Sequence, residues 1–238
     1  MEPAAKNNFN NRIALVSGGS SGIGKAITST FSAQNATVFN ADIKAPEPNS
    51  KGNFISCDIT QASEIDRLFQ QLHGQNSLPD ILVCNAGKGI TEKLTEGDPE
   101  KWRKVFDLNV LGALRLIRAF VPPMLEKGFG DVVFISSVAA GKAFTYGGIY
   151  AATKSALETI AETLRLEVLP TVRVFTVAPG VTDTGFFENT VSGFQTAGSI
   201  GYGALPPSTI AEAIVFALNQ PRNISLTNLT LRPSPQPF

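Results

Sequence analysis

Short runs of apolar residues alternate with longer amphipathic stretches along most of this chain, and this alternation limits the folds that it can adopt. Two of the short runs, Ile81-Leu82-Val83 and Val132-Val133-Phe134-Ile135, contain no polar residue. Uninterrupted apolar strands suit a parallel sheet that is covered on both faces, because neither face then meets water. Their regular alternation with helices predicts an α/β fold, a doubly wound parallel sheet with helices on both faces.

The length and charge of the chain narrow its class. Its 238 residues suit one domain, which we expect over residues 12–238, after a polar and flexible lead-in at residues 1–11. The 20 basic and 20 acidic residues balance and are scattered, which gives no reason to expect a nucleic-acid or membrane partner. We find neither a signal core nor an apolar run long enough to cross a bilayer, so we expect a cytoplasmic protein.

Cysteine and histidine are rare in this chain. Cys57 and Cys84 each lie in an apolar, strand-like run, which favours two reduced core thiols over a disulfide. His73 is the only histidine and lies at the polar end of a predicted helix. A Ser-His-Asp triad or a histidine-based metal site would have to depend on this one residue. We therefore expect a surface histidine and no metal centre.

Three predicted elements and one loop matter for the later argument. The periodicity predicts long helices at residues 102–127 and 149–169, and a last strand at residues 224–231. Residues 183–207 are rich in Gly, Thr and Phe and have weak periodicity. A loop of that length in a compact domain is often a lid or a binding loop, so we expect it to cover a substrate.

A glycine-rich turn, Ser-Gly-Gly-Ser-Ser-Gly-Ile-Gly at residues 17–24, separates the first predicted strand from the first predicted helix. This is the context that a dinucleotide fingerprint requires, although three residues separate the first two glycines of the motif instead of one. Gly18 allows a tight turn, Gly22 lets the backbone approach a pyrophosphate, and Gly24 lets the helix pack closely on the strand. The helix N-terminus then offers free N–H groups to the phosphates.

Polar residues follow three of the predicted strands. Asp42 ends the second strand. A carboxylate there accepts hydrogen bonds from ribose hydroxyls and repels a 2′-phosphate, which favours NAD over NADP. The alternative is that Asp42 only caps a turn. Lys44 nearby would offset part of the repulsion. Asp58 is a candidate for the adenine amino group or, equally, an N-cap or turn residue. Asn85-Ala86-Gly87 ends the fourth strand at the sheet edge where ligands bind, with a plain turn as the alternative.

Six short motifs in residues 12–184 resemble, in order and spacing, those of the short-chain dehydrogenase/reductase family. They are the glycine turn, Asn85-Ala86-Gly87, Asn109 in Leu-Asn-Val, Ser136-Ser137, Tyr150-x-x-x-Lys154, and Pro179-Gly180 followed by Thr182 and Thr184. The chain departs from the family pattern at Ser17, where a threonine is usual, and at Cys84, where an asparagine is usual. It also lacks the Asp-Gly-Gly ending of many tetrameric members. The resemblance implies a Rossmann fold and an NAD(H)-dependent oxidoreductase.

The chemistry would centre on Tyr150, Lys154 and Ser137. Tyr150 and Lys154 are four residues apart and share one helix face, while Ser137 follows the fifth strand. We expect the ammonium and a positive nicotinamide ring to lower the pKa of Tyr150, which would then act as general acid and base on a secondary alcohol or ketone. Ser137 would hold the substrate oxygen. The alternative is a core tyrosine beside a solvated lysine.

The resemblance also assigns further roles. Lys154 would bind the nicotinamide ribose, and Asn109 would hold a proton-relaying water; a polar residue that pins a helix bend is the alternative for Asn109. The residues expected to bind the cofactor are Gly18, Ser20, Ser21, Gly22, Ile23, Gly24, Asp42, Asp58, Ile59, Asn85, Ala86, Gly87, Tyr150, Lys154, Pro179, Gly180, Val181, Thr182 and Thr184. The expected substrate contacts are Ser137, Val138, Ala139, Phe144, Phe186 and Phe187, with Tyr146 and Phe194 nearby.

Other functions stay open at this point. A protein of the same fold could bind NAD(H) as a sensor or scaffold without turnover, although the intact Ser137, Tyr150 and Lys154 argue against it. A dehydratase or isomerase that keeps its NAD is also compatible with these residues. The phenylalanines of the loop could equally be anchors packed on the body. By resemblance, the two long helices pair between subunits, so we expect a homodimer or homotetramer.

Overall fold

Seven parallel strands form one sheet in the computed structural model, which describes residues 9–193 and 198–237. The strands are β1 (Ile13–Ser17), β2 (Thr37–Asp42), β3 (Asn53–Ser56), β4 (Ile81–Cys84), β5 (Gly130–Ile135), β6 (Val172–Pro179) and β7 (Asn228–Leu231). Their order is β3-β2-β1-β4-β5-β6-β7. The chain therefore winds outward from β1 in one direction and then returns to continue from its other side. This confirms the predicted doubly wound, Rossmann-like α/β fold.

Helices cover both faces of the sheet. They are α1 (Gly22–Ala33), α2 (Ala62–Gly74), α3 (Pro99–Phe106), α4 (Gly112–Lys127), α5 (Gly148–Val168) and α6 (Pro207–Leu218). Apolar side chains of α2, α4 and α5 pack on one face, and those of α1 and α6 pack on the other. All four residues of β4 are buried, as are all six of β5, because helices lie on both sides of them. Cys57 and Cys84 are buried free thiols, as predicted.

The fold begins earlier than the sequence predicted. Phe9 is 2% exposed and meets the ring of Phe31 edge to face, with the ring centroids 5.2 Å apart. Its N–H also donates to the carbonyl of Gln34. Including residue 9 in a flexible lead-in was therefore wrong, since this aromatic ring completes the core on the α1 face. Residues 1–8 lie outside the described part of the chain.

Two predicted elements differ in extent. The last strand begins at Asn228, not at residue 224, because the Ile224 N–H turns back to Pro221 and its carbonyl accepts from Arg173. The long helix begins at Pro99, where the Asp98 side chain caps the first turn. A π-helical turn, Asp107–Leu111, then joins α3 to α4. Such wide turns often mark functional sites.

The run from Pro99 to Lys127 is the one helix in the described ranges that is long and apolar enough to cross a membrane. Its most apolar window has a mean hydropathy of 1.3, so the expectation that no run had this length and composition was wrong. The side chains of Leu116, Phe120 and Met124 are buried against the sheet. One face of this helix therefore packs on the core, and 39% of its most apolar window is buried.

Candidate active site

The carboxyl ends of β1, β4, β5 and β6 meet at one edge of the sheet, beside the first half of α5. The chain reverses its winding direction between β1 and β4, and this is the place where open α/β sheets bind ligands. The glycine turn follows β1, Asn85-Ala86-Gly87 follows β4, Ser137 follows β5, and Gly180 follows β6. The topology thus brings together Gly18 and Gly180, which are 162 residues apart in the chain.

The glycine turn needs its glycines for conformation and for space. Gly18 and Gly22 have φ of +68° and +52°, where L side chains are strained. A Cβ at Gly24 would lie 2.1 Å from the Gly18 carbonyl oxygen, so any side chain there would displace the turn from α1. A Cβ at Gly18 would press on Ala86 at 3.0 Å. The turn therefore packs tightly against both α1 and the segment after β4.

The N-terminus of α1 fits a phosphate group. The Ser21 side chain makes no capping hydrogen bond to this helix, and no acidic residue lies in its first turn. The first N–H groups and the positive end of the helix dipole therefore meet no side-chain anion of the helix itself. Beside them, a cleft of about 430 Å³ runs between α1 and the loop after β6. Gly22 lines this cleft opposite Thr184, whose side chain a Cβ at Gly22 would approach to 3.3 Å.

Asp42 lies at the end of β2, beside the glycine turn, as the sequence predicted. One carboxylate oxygen accepts from the Ser20 N–H at 3.0 Å, and the other accepts from the Lys44 N–H at 3.1 Å. The Ser20 hydroxyl donates to the Lys44 carbonyl, so the Ser20 side chain joins the turn to the loop after β2. These bonds fix the orientation of the carboxylate, and each of its oxygens keeps a further lone pair for a ribose hydroxyl.

Asp58 and Ile59 occupy structural positions. One oxygen of Asp58 accepts from both the N–H and the hydroxyl of Thr60, at 2.9 and 2.8 Å, which is the turn role named as its alternative. Ile59 is 4% exposed, and its side chain lies against Gly112 at the start of α4. Their contacts with a cofactor stay predictions. The Ile23 side chain also packs partly on the core, on the α1 face of the sheet.

Ser17 ties the segment after β4 to β1, a role that the sequence analysis missed. Its hydroxyl accepts from the N–H groups of Asn85 and Ala86, at 3.0 and 3.1 Å, and donates to the Val83 carbonyl at 3.2 Å. The Asn85 amide also donates to the Ser17 carbonyl at 2.9 Å. The sequence did contain a signal for this role, because Ser17 stands at the first position of the glycine motif, where the family usually has a threonine. A serine supplies the same hydroxyl as the usual threonine.

Asn109 lies in the π-helical turn, and its side chain is held on two sides. Its Oδ1 accepts from the Lys88 N–H at 2.9 Å, and its Nδ2 donates to the Lys88 carbonyl and to the Thr153 hydroxyl, at 3.0 and 3.1 Å. These bonds suit the alternative role given above for Asn109, a polar residue that pins a helix bend. Its side chain also lies beside the Gly87 backbone. Thr153, which the sequence analysis missed, links it to the Tyr150 carbonyl at 2.7 Å. Binding of a water stays a prediction.

Tyr150 and Lys154 share one face of α5, as their spacing predicted. Lys154 is 4% exposed, its Nζ donates to the Ile135 carbonyl at 2.8 Å, and it lies 5.7 Å from the centroid of the Tyr150 ring. Burial lowers the pKa of Lys154 to about 8. Asn109 and Lys154 thus both approach Gly87, whose added Cβ would lie 3.1 Å from Asn109 Oδ1 and 3.8 Å from Lys154 Nζ.

The pKa of Tyr150 differs from the sequence-based expectation. Burial raises it to about 12, and a hydrogen bond with the Ser137 side chain offsets only part of this. In the protein alone, desolvation of the phenolate outweighs the ammonium 5.7 Å from the ring centroid. The expected decrease beside a nicotinamide ring stays a prediction. Ser137 therefore lies close to Tyr150, and its part in a reaction stays a prediction. The Ser137 oxygen also accepts from the Ala139 N–H at 3.1 Å.

The segment after β6 is held by the C-terminal tail. The Gly180 N–H donates to the Leu231 carbonyl, and the Val181 N–H donates to Oε1 of Gln236 at 3.0 Å. The Val181 N–H is therefore already paired within the protein, which the sequence analysis did not foresee. Thr182 is 4% exposed and donates to the Gly180 carbonyl, whereas Thr184 faces the cleft beside α1. Of the two threonines, Thr184 is the one placed to meet a ligand.

Several of the predicted substrate residues lie near Tyr150. The Phe186 ring centroid is 5.6 Å from that of Tyr150, and Phe187 meets Phe186 edge to face at 5.6 Å. The Val138 N–H donates to the Pro179 carbonyl, and Phe144 lies over the Gly147 backbone. Ala139 is buried, Phe144 and Tyr146 are 38% and 47% exposed, and Phe194 lies outside the described residues. Contact with a substrate stays a prediction for all of them.

Comparison with known proteins identifies the family. A family model described as short chain dehydrogenase matches residues 12–193, so the chain belongs to the short-chain dehydrogenase family of oxidoreductases, as its motifs predicted. An uncharacterised oxidoreductase of Staphylococcus epidermidis is 30% identical over 230 residues, which cover 93% of this chain and 97% of that protein.

Two solved structures that it resembles hold different cofactors. One is an alcohol dehydrogenase from the archaeon Thermococcus sibiricus complexed with 5-hydroxy-NADP, at 25% identity and a TM-score of 0.82, covering 94% of this chain and 97% of that one. The other is a 3-ketoacyl-(acyl-carrier-protein) reductase from Brucella melitensis complexed with NADH, at 25% identity and a TM-score of 0.84, covering 95% and 98%. Similar structures therefore accept either form of the nicotinamide cofactor.

Proposed function

We propose that this protein is an NAD(H)-dependent oxidoreductase that interconverts a secondary alcohol and a ketone. The observation that carries the proposal is that Ser137 and Lys154 both lie beside Tyr150: the Ser137 side chain is close enough to influence the pKa of Tyr150, and Lys154 Nζ lies 5.7 Å from the centroid of the tyrosine ring. This group stands at the sheet edge that also holds the glycine turn and the free N-terminus of α1. A proton donor, an oxygen-binding hydroxyl and a phosphate cradle are the parts that this chemistry needs.

Each side chain has a defined task in this proposal. The nicotinamide, when bound, supplies or accepts the hydride. With a pKa of about 12, Tyr150 is protonated at neutral pH and can donate its proton to a carbonyl oxygen held by Ser137. In the opposite direction, the phenolate must be stabilised, and Lys154 is the nearby cation that the described chain provides. The ring of Phe186 packs against that of Tyr150, with the ring centroids 5.6 Å apart, and covers part of it.

The choice of NAD(H) depends on Asp42. Its carboxylate is held beside the glycine turn by the N–H groups of Ser20 and Lys44, where it would bond ribose hydroxyls and repel a 2′-phosphate. Titration calorimetry of NADH and NADPH with the wild type and Asp42→Ala tests this. We expect the wild type to prefer NADH and the variant to narrow the affinity ratio by about tenfold. An unchanged ratio would remove Asp42 from the proposal.

Turnover and cofactor binding can be separated with Tyr150→Phe, which keeps the ring and removes the hydroxyl. NADH absorbance would be followed with a panel of secondary alcohols and ketones, with NADP(H) run in parallel. We expect the variant to lose about 10²–10⁴-fold in turnover while its NADH affinity changes less than about threefold. If the variant keeps its turnover, Tyr150 is not the acid. If the wild type binds NADH and is silent across the panel, the sensor function is favoured instead.

We also propose that the protein forms a homodimer or homotetramer through α4 and α5. Large apolar side chains are exposed on or next to these helices, at Leu111 (46%), Leu125 (41%) and Leu166 (59%). Pairing of the helices between subunits would remove them from water. Light scattering after gel filtration measures the mass, and a monomeric mass at micromolar concentration would contradict the proposal.

A further inference from the structure

One segment of the loop after β6 lies over the predicted acid. This covering segment, residues 183–193, carries Phe186, whose ring centroid is 5.6 Å from that of Tyr150. Phe186 also reaches the backbone of Gly89, in the loop after β4, where an added Cβ would lie 3.2 Å from its ring. Whatever holds the covering segment in place therefore controls whether Phe186 stays over Tyr150.

Backbone hydrogen bonds join the covering segment to the loop after β4. The Val191 N–H donates to the Gly89 carbonyl at 2.9 Å, and the Thr91 N–H donates to the Ser192 carbonyl at 3.1 Å. Gly193 then passes so close to Thr91 that an added Cβ would lie 2.5 Å from the Thr91 oxygen. These contacts align the two loops edge to edge and bring Ser192 next to Glu92.

The Glu92 carboxylate is held mainly by donors that lie outside the covering segment. It accepts from the Trp102 indole N–H at 2.7 Å, the Asp98 N–H at 3.1 Å and the Lys101 ammonium at 3.5 Å. All three donors belong to α3 or to its capping residue, so Glu92 is anchored whether or not the covering segment is in place. The Ser192 hydroxyl adds a fourth donor at 2.6 Å, and this bond is the first cause of the lowering of the Glu92 pKa to about 2.

The Ser192 bond differs from the other contacts of the covering segment. Within the described ranges, it is the one side chain–side chain hydrogen bond that joins this segment to another part of the protein. The acceptor is an ionised carboxylate with a side chain only 12% exposed, and such bonds are stronger than neutral ones. The Glu92 N–H also donates to the Tyr146 carbonyl, so the loop after β5 meets the same residue.

We infer that Glu92 is a positioning residue that holds the covering segment closed over Tyr150 through the Ser192 hydroxyl, and thereby retains the bound substrate. The substrate part of this inference depends on the proposed oxidoreductase function. Opening the segment would break the Ser192 bond and the two backbone bonds beside it, while the three bonds from α3 would keep the carboxylate in place. The segment can therefore open and close again onto an acceptor that does not move.

The test uses Ser192→Ala in the full-length protein, because this change removes one hydroxyl and leaves the anchoring of Glu92 intact. Hydrogen–deuterium exchange with mass spectrometry follows the amides of residues 185–193, without substrate. We expect their exchange to rise about tenfold. Trp102→Phe is the matched control, since it removes a donor to the same carboxylate from α3, and it should leave exchange of the covering segment near the wild-type rate.

Steady-state kinetics provide the second measurement. Ser192→Ala should raise KM about tenfold, with kcat unchanged or higher, because the variant loses retention of substrate and not its proton donor. Unchanged exchange in Ser192→Ala would overturn the role of Glu92 outright. Faster exchange with an unchanged KM would overturn the retention of substrate. The exchange measurement needs no turnover, so it stands or fails separately from the proposed function.

Discussion

At the amino edge of the sheet, Asp80 and Asp131 are 1% and 0% exposed, whereas at the carboxyl edge the buried charged side chain is Lys154. The two aspartates are surrounded by cations. Lys154 instead donates to a backbone carbonyl, and no carboxylate among the described residues forms an ion pair with it. The same sheet therefore carries compensated buried charge at one edge and uncompensated buried charge at the other.

Compensation at the amino edge is extensive. Asp131 accepts from Arg12 and Arg173 at 2.7 Å and from Arg222 at 2.9 Å, and Asp80 pairs with Arg12. Burial by itself would lower the pKa of Arg12, but Asp131 and Asp80 outweigh it and raise the pKa. The network joins the starts of β1, β5 and β6 to the segment after α6. Each buried charge here meets an opposite charge, so removing one partner would leave the others uncompensated.

At the carboxyl edge, desolvation determines the pKa values. It lowers the pKa of Lys154 to about 8 and raises that of Tyr150 to about 12. Both shifts mean that the folded protein disfavours the charged form of each group. At neutral pH this costs stability only at Lys154, because Tyr150 is uncharged there in the folded and the unfolded state alike. Groups held away from their ordinary protonation behaviour are typical of active sites. The comparison therefore separates a structural edge from a reactive one, and three variants can test it.

The largest effect is expected for Asp131→Asn. Three arginines would lose their common buried anion, so we expect the free energy of unfolding to fall by about 3–5 kcal/mol. Denaturation in urea measures this change. Activity per folded molecule should stay near the wild-type value, because Asp131 lies at the opposite edge from Tyr150. A loss of less than about 1 kcal/mol would show that the amino edge does not depend on this charge.

For Lys154→Met we expect a smaller change in the free energy of unfolding, and an increase instead of a decrease. Removing a buried, uncompensated ammonium removes a cost of about 3 kcal/mol at pH 7, and the lost bond to Ile135 takes back part of this, so we expect the free energy of unfolding to rise by about 1–2 kcal/mol. The pKa of Lys154 is lowered from 10.5 to about 8. The buried ammonium therefore lowers the free energy of unfolding by its full amount below pH 8, and this loss disappears by pH 10.5. The advantage of the variant should therefore shrink as the pH rises through this window.

Turnover by Lys154→Met should fall about 100-fold or more, since the cation beside Tyr150 is lost. Denaturation at pH 7 and pH 10 measures the stability difference, and NADH absorbance measures the turnover. A variant that is less stable than the wild type at pH 7 would show that Lys154 is compensated after all. The contrast between the two edges would then fail.

The smallest effect is expected for Arg222→Ala. Arg222 is 43% exposed at its side chain, and Asp131 keeps Arg12 and Arg173 when Arg222 is removed. We expect the free energy of unfolding to fall by about 0.5–1 kcal/mol in urea denaturation. A loss as large as that of Asp131→Asn would mean that the three arginines act as one unit.

The parts of the site that could be predicted are those that depend on local spacing. Tyr150 and Lys154 are four positions apart, which places both on one face of α5, and glycines at residues 18, 22 and 24 predict the turn before α1. The parts that could not be predicted depend on contacts that no local pattern contains. The Val181 N–H is taken by Gln236, 55 residues later, and the pKa of Tyr150 rises because of burial that only the packed fold creates.

The sequence by itself determined the alternation of strands and helices, the glycine turn and the order of the family motifs, because these depend on residue type and short spacing. Only the tertiary structure decided that Asp131 meets three arginines and that Lys154 meets a carbonyl. It also decided that Glu92 meets Ser192, 100 residues later in the chain. Such distant pairings, and the desolvation that accompanies them, depend on how the elements pack against one another.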